Sequence, residues 1–127
     1  MAKTFKDLVN EARSEIDVIH PEEAHQRMQQ DPRTLVIDVR QPEERATNGA
    51  IPGSINVPLG MLPIKADTEL DMRDPQLQDR SQPILTTCGA GGQAALAAKT
   101  LKDMGFTNVA QIQDGHKGWT EAGLPTE

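Results

Sequence analysis

Ile84-Leu85-Thr86-Thr87-Cys88-Gly89-Ala90-Gly91-Gly92-Gln93 passes from apolar and β-branched residues, through a glycine cluster, into the alanine-rich segment Gln93 to Met104. That order spells a strand, a tight loop and a helix start. The first turn of a helix has N–H groups without internal partners and carries the positive end of the helix dipole. Glycines at 89, 91 and 92 allow backbone to approach an anion closely and to visit positive φ. Cys88, the only cysteine, stands at this junction, where a sulfur would meet donors on several sides. Such a cradle favours thiolate over thiol and makes Cys88 a candidate nucleophile. The bland alternative is an inert cysteine closing a core strand, which would need no glycine loop.

The flanking sequence alternates strands and helices. Upstream, Thr34 to Val39 is a nearly continuous apolar and β-branched run, the pattern of a strand buried on both faces of a parallel sheet. Before it, Thr4 predicts the cap of an amphipathic helix that packs Phe5, Leu8, Val9, Ala12 and Ile16 on one side and ends near Asp17. Ile16 to Ile19 reads as a short strand, and His20-Pro21-Glu22-Glu23 as the start of a helix running to Gln30. After Val39, a short helix begins at Pro42 and closes at Asn48-Gly49. A turn at Ile51 to Ser54, a strand at Ile55 to Val57 and a helical turn around Met61 to Lys65 follow. Ala66 to Gln82 is polar and aperiodic, a surface excursion with a single helical turn near Asp74 to Leu77. Downstream, Gly105 stops the alanine-rich helix, Asn108 to Ile112 forms the last strand, and a helix over 117–122 closes the chain. The expected fold is a three-layer α/β/α domain with a five-stranded, mostly parallel central sheet. Residues 1–15 form an N-terminal helical extension and 16–127 the domain proper. Ligands of such sheets gather outside the carboxyl ends of the strands, where both Cys88 and Asp38 fall.

Composition narrows the function. The chain has 127 residues and a net charge of -6, so a nucleic-acid partner is not expected. Aromatic residues make up 2%, too few for a base-stacking platform. The charged N-terminus and the lack of long apolar runs predict a soluble, cytoplasmic protein without membrane contact. One cysteine and three scattered histidines offer no metal-ligand spacing.

Leu35-Val36-Ile37-Asp38-Val39-Arg40 with Glu43-Glu44, then Ile51 to Pro58, the cysteine loop, and Asp114-Gly115 with Trp119 and Ala122-Gly123-Leu124-Pro125 resemble, in this order, a single-domain rhodanese. The resemblance spans residues 19–125. It implies a sulfurtransferase in which Cys88 takes sulfane sulfur from thiosulfate or another persulfide donor and passes it to cyanide or a thiol. Gly89, Ala90, Gly91, Gly92 and Gln93 would bind the persulfide through their backbone, with Asp38 and Arg40 as supporting residues. No cofactor is implied. The partners would be a small-molecule donor and an external thiol, free or on an acceptor protein, because no second cysteine exists to resolve a persulfide. The acting form would be a monomer or weak homodimer.

Departures from the family pattern are informative. Gln93 stands where many active relatives carry arginine or lysine, so dianionic thiosulfate loses charge-assisted attraction. Ala50 replaces a frequent histidine, and His116 follows Gly115 in place of a second glycine. Two rivals remain: a sulfur-carrier or regulatory module with little thiosulfate activity, and a phosphatase of the dual-specificity type or arsenate reductase. The phosphatase needs an arginine closing a longer loop, and position 94 is alanine. Away from the loop, Arg40 and Glu44 are spaced to pair across a helix start. His25 is expected on a solvated face and His116 at the surface. Trp119 should anchor the last helix, and Met61 and Leu62 either line the pocket mouth or pack in the core.

Overall fold

A computed structural model describes residues 2–127. Helix α1 (Phe5–Arg13) opens with a reciprocal cap, in which Thr4 Oγ1 accepts from the Asp7 N–H and the Asp7 carboxylate accepts from the Thr4 N–H. Then come β1 (Asp17–Ile19), α2 (Pro21–Gln30), β2 (Leu35–Asp38), α3 (Pro42–Asn48), β3 (Ile55–Asn56), α4 (Leu62–Lys65), β4 (Ile84–Thr87), α5 (Gly92–Asp103), β5 (Val109–Ile112) and α6 (Gly115–Glu121). The strands form one five-stranded sheet in the order β1-β5-β4-β2-β3. Every pairing is parallel, so the connections must cross over the sheet and helices cover both faces.

Strand alternation divides the core. Ile37, Val39, Ile84 and Cys88 pack on one face with Leu62 of α4 and Ala94, Ala97 and Leu101 of α5. Val36, Leu85, Ala110 and Ile112 pack on the other with Ala24 of α2 and Trp119 of α6. Burying each large aliphatic side chain contributes about 1.5–3 kcal/mol. Trp119 anchors α6 as expected, and its Nε1 donates to the Pro125 carbonyl at 2.7 Å.

Several local expectations are corrected. Helix α1 ends at Arg13, and Ser14 Oγ turns back to the Glu11 carbonyl, which frees Asp17 to pair with Ala110 in the sheet. Val9 and Ala12 are buried against Ala95 of α5, with Ile16 packed beside them, whereas Phe5 and Leu8 stay 56% and 42% exposed. The contact with α5 is too narrow to cover the whole apolar stripe. His25 is half-buried, its ring edge-on to Trp119 at 5.7 Å between centroids. The Ala66 to Gln82 excursion contains the helical turn, at Pro75–Leu77, but also buries Ala66 and Leu77 completely. Arg80 ties it down by donating to the carbonyls of Leu77 and Ala66 while its guanidinium lies 4.3 Å over the Phe106 ring.

Arg40 turns back onto Asp38 rather than pairing with Glu44. Both are buried, the guanidinium grips the carboxylate with bonds of 2.7 to 3.2 Å, and Arg40 Nη2 also reaches the Gly49 carbonyl at 2.7 Å. Asp38→Asn leaves that buried guanidinium without its counter-charge. It should therefore cost about 3–5 kcal/mol, read as a lower urea midpoint.

In the excursion, Asp67 Oδ1 accepts from the N–H groups of Glu69 and Leu70, and these bonds hold its carboxyl below the ordinary range. A lowered value stabilises the turn above the unfolded pKa of about 3.9 and loses that contribution as pH falls through the folded value. Amide protection at Glu69 and Leu70 should therefore drop selectively in acid, measured by hydrogen exchange.

Candidate functional site

Cys88 follows the last residue of β4, where the sheet's carboxyl edge opens, and is only 2% exposed. Its Sγ accepts hydrogen bonds from the N–H of Gly91 at 3.0 Å and of Ala94 at 3.3 Å. Gly91 caps α5 in the left-handed region with φ 106°, a conformation that a side chain would strain. The N–H groups of Ala90, Gly92 and Gln93 bond to no protein acceptor among the described residues, although their residues line the cavity beside the sulfur. The sulfur is thus already held by two amides, with others of the loop left over.

What aims the amides inward is that the loop's carbonyls are tied outward. Cys88 O accepts from His116 N–H at 2.6 Å and Gly89 O from Lys117 N–H at 3.0 Å, both in the first turn of α6. Gly91 O accepts from Gln111 Nε2 at 2.9 Å. Thr86 Oγ1 donates to Ala94 O at 2.8 Å. Since N–H and C=O of one peptide point opposite ways, the bonds on Cys88, Gly89 and Gly91 fix the directions of the Gly89, Ala90 and Gly92 N–H groups, while the Thr86 bond steadies the first turn of α5, where Ala95 N–H donates to Gly91 O. Gly115, with φ 57°, must be glycine, because a Cβ would strike the Cys88 carbonyl and come within 3.0 Å of Gly91 N.

The cavity is about 260 Å³ and is lined by Phe5, Glu44, Cys88, Gly89, Ala90, Gly92 and Gln93. No lysine or arginine lines it. The carboxylate of Glu44 stands 3.8 Å from where a Gly89 Cβ would be, so the one charged side chain that lines the cavity is negative. Arg13 lies against the loop without lining the cavity, its Nε donating to Gln111 Oε1 at 3.3 Å. Asp38 pairs in register with Thr87 and so reaches the same edge, but it sits between Ile37 and Val39, which share the face of Cys88. Its side chain therefore projects from the opposite face. Asp38 and Arg40 do not touch the cavity. Leu62 is wholly buried and Met61 packs on the core. His116 is 8% exposed, not at the surface, because α6 begins at Gly115, two residues before the expected start. Its Nε2–H donates to the Asn48 carbonyl at 3.0 Å.

A strand, a cysteine ringed by amides and a helix start on a parallel sheet are the features that relate this chain to known proteins. The sequence model of the rhodanese-like domain matches residues 20–122. The chain belongs to the rhodanese-like domain family. That family holds sulfurtransferases and sulfur carriers. A protein of unknown function from Rhodopseudomonas palustris, named a possible tyrosine phosphatase, superposes with a TM-score of 0.93 at 32% identity over 100% of this chain and 96% of that one. The polysulfide-sulfur transferase homodimer of Wolinella succinogenes gives 0.76 at 28% identity, covering 97% and 86%. The adenylyltransferase and sulfurtransferase UBA4 of Meyerozyma guilliermondii is 34% identical over 85 residues, 67% of this chain but 20% of that protein. The chain thus spans a fifth of that relative's length. Among the described residues, no helix is long and apolar enough to cross a membrane.

Sequence reasoning did not find Ala94, Gln111 or Phe5 as parts of this rhodanese-like site. Ala94 acts through its N–H alone. Gln111 had a signal, a polar residue inside an apolar strand, in register with Thr86. Gln111→Leu removes one of the two hydrogen bonds on the Gly91 carbonyl, the other coming from Ala95 N–H. With one hydrogen bond worth about 1 kcal/mol, alkylation of Cys88 by iodoacetamide should slow by about fivefold while the far-ultraviolet circular dichroism stays native.

Proposed function

We propose that the protein is a sulfurtransferase whose Cys88 carries sulfane sulfur as a persulfide between an external donor and an external thiol. The observation that carries this reading is the pairing of two amides on Sγ with further amides of the loop around the adjoining space. A thiol alone needs no more than the first two. A terminal sulfur bearing negative charge would use the rest, as an oxyanion uses preorganised N–H donors. In the loading step, the Cys88 thiolate attacks the outer sulfur of R–S–SH, a new S–S bond forms, the old one breaks, and R–S⁻ leaves with the electron pair. An incoming thiolate then repeats the displacement on the outer sulfur.

Charge argues for the class of donor. With Gln93 neutral and Glu44 at the rim, a dianion such as thiosulfate gains no charge-assisted bond and meets a like charge. The favoured donor is a persulfide or polysulfide, and the sulfur-carrier role is favoured by the same argument. Phosphoryl transfer lacks its clamp, since Ala94 offers only a backbone N–H where an arginine fork is required. We further propose that sulfur leaves to a separate thiol, on a small molecule or an acceptor protein.

Wild-type and Cys88→Ser proteins incubated with glutathione persulfide or thiosulfate separate these outcomes by intact mass and by thiocyanate release with cyanide. The wild type should gain one sulfur atom from the persulfide and little from thiosulfate, and the serine variant none from either. Failure to gain sulfur from either donor, or Cys88-dependent hydrolysis of an aryl phosphate, contradicts the proposal. Gln93→Arg should raise thiosulfate turnover by about tenfold, with the gain shrinking as salt screens the charge. An unchanged rate would show that the missing cation does not limit the donor.

A further inference from the structure

Helix α1 precedes the residues that the family model matches, yet it furnishes a wall of the cavity that holds Cys88. The wall is Phe5. Two ring carbons, Cε2 and Cζ, lie 2.9 Å from where a Cβ on Gly92 would stand, so the ring rests on the first residue of α5, and only a residue without a side chain leaves room for it. More than half of the residue remains exposed. Its position is fixed from its own helix. The Thr4–Asp7 cap sets the start of α1, an ion pair of 2.8 Å joins Lys3 to Glu11, and Val9 and Ala12 lock against Ala95 one turn along α5. An aromatic side chain held in place, with one side packed and the other open next to a nucleophile, offers a stacking surface to whatever the nucleophile attacks. Among the described residues, no lysine or arginine lines the cavity beside it.

We propose that Phe5 is a specificity-determining residue that selects sulfur donors and acceptors with an apolar or aromatic body next to the reacting sulfur. This rests on the sulfur-transfer reading above. The chemistry at Cys88 is unaltered: for a thiosulfonate R–SO₂–S⁻, the thiolate bonds to the terminal sulfur, the donor's S–S bond breaks, and the sulfinate leaves with the electron pair. Phe5 touches R and not the sulfur.

The test compares wild type, Phe5→Ala and Phe5→Leu in two arms, each with a phenyl and a methyl-sized probe. In the first arm, sulfur transfer from benzenethiosulfonate and methanethiosulfonate to cyanide is measured as kcat/KM. In the second, which needs no sulfur transfer, the rates of Cys88 alkylation by N-phenyl iodoacetamide and by iodoacetamide are compared. Wild type should prefer the phenyl probe in both arms. Phe5→Ala should cut that preference by about threefold to tenfold, the worth of one aromatic contact, mainly through KM. Phe5→Leu, which keeps an apolar side chain in place and guards against loss of the α1 packing, should retain part of it. An unchanged preference in Phe5→Ala in both arms overturns the proposal. If the alkylation preference depends on Phe5 but wild type takes sulfur from neither thiosulfonate while still loading from glutathione persulfide, the ring is only a wall and the proposal falls alone, whereas no gain from any of these donors overturns the sulfur-transfer reading as well.

Discussion

The site depends on where three loop carbonyls point. His116 and Lys117 N–H hold the carbonyls of Cys88 and Gly89, and the Gln111 side chain holds that of Gly91. With those oxygens turned away, the N–H groups on the same peptides, those of Gly89, Ala90 and Gly92, face the opposite side, next to the Gly91 and Ala94 donors that hold the sulfur. The donors are charge-neutral and already oriented, so stabilising a sulfur anion requires no rearrangement when it forms. This separates the site from one built on lysine or arginine, which would attract every small oxyanion nearby.

The remainder of the fold keeps those three anchors in place. Gln111 and Thr86 sit in register on neighbouring strands and send their side chains to the two ends of the same loop-to-helix segment. Gly115 allows α6 to start directly beneath the Cys88 carbonyl. The buried Asp38–Arg40 pair acts at a distance, closing the path from β2 to Gly49, and Asn48 at the end of that path receives the His116 ring. A scaffold pair and a loop anchor are thus joined through α3, although neither touches the cavity.

Much of this was legible in the chain. Continuous apolar runs at Leu35 and Ile84 announced doubly covered parallel strands, and the glycine cluster after Cys88 announced a loop with donors facing a sulfur. The parts that were not legible share a physical cause. Phe5 and Leu8 read as core because helical periodicity shows which residues share a face, not how much of that face the neighbour covers. His25 and His116 read as surface because an imidazole's polarity hides the fact that one edge can pack on Trp119 or bond a single carbonyl. Arg40 and Glu44 had pairing distance in sequence, but Asp38 offered a buried, bidentate partner, and that geometry wins over an exposed contact worth less than about 1 kcal/mol.

The central claim is that unpartnered amides of the loop await a terminal sulfur. It is tested most directly by recording backbone amide proton shifts and exchange rates in the nitrogen-15-labelled protein before and after loading with a persulfide. The account predicts downfield movement and slower exchange at Ala90, Gly92 and Gln93, with Gly91 and Ala94 changing less. Sulfur on Cys88 with those three resonances unmoved would contradict it.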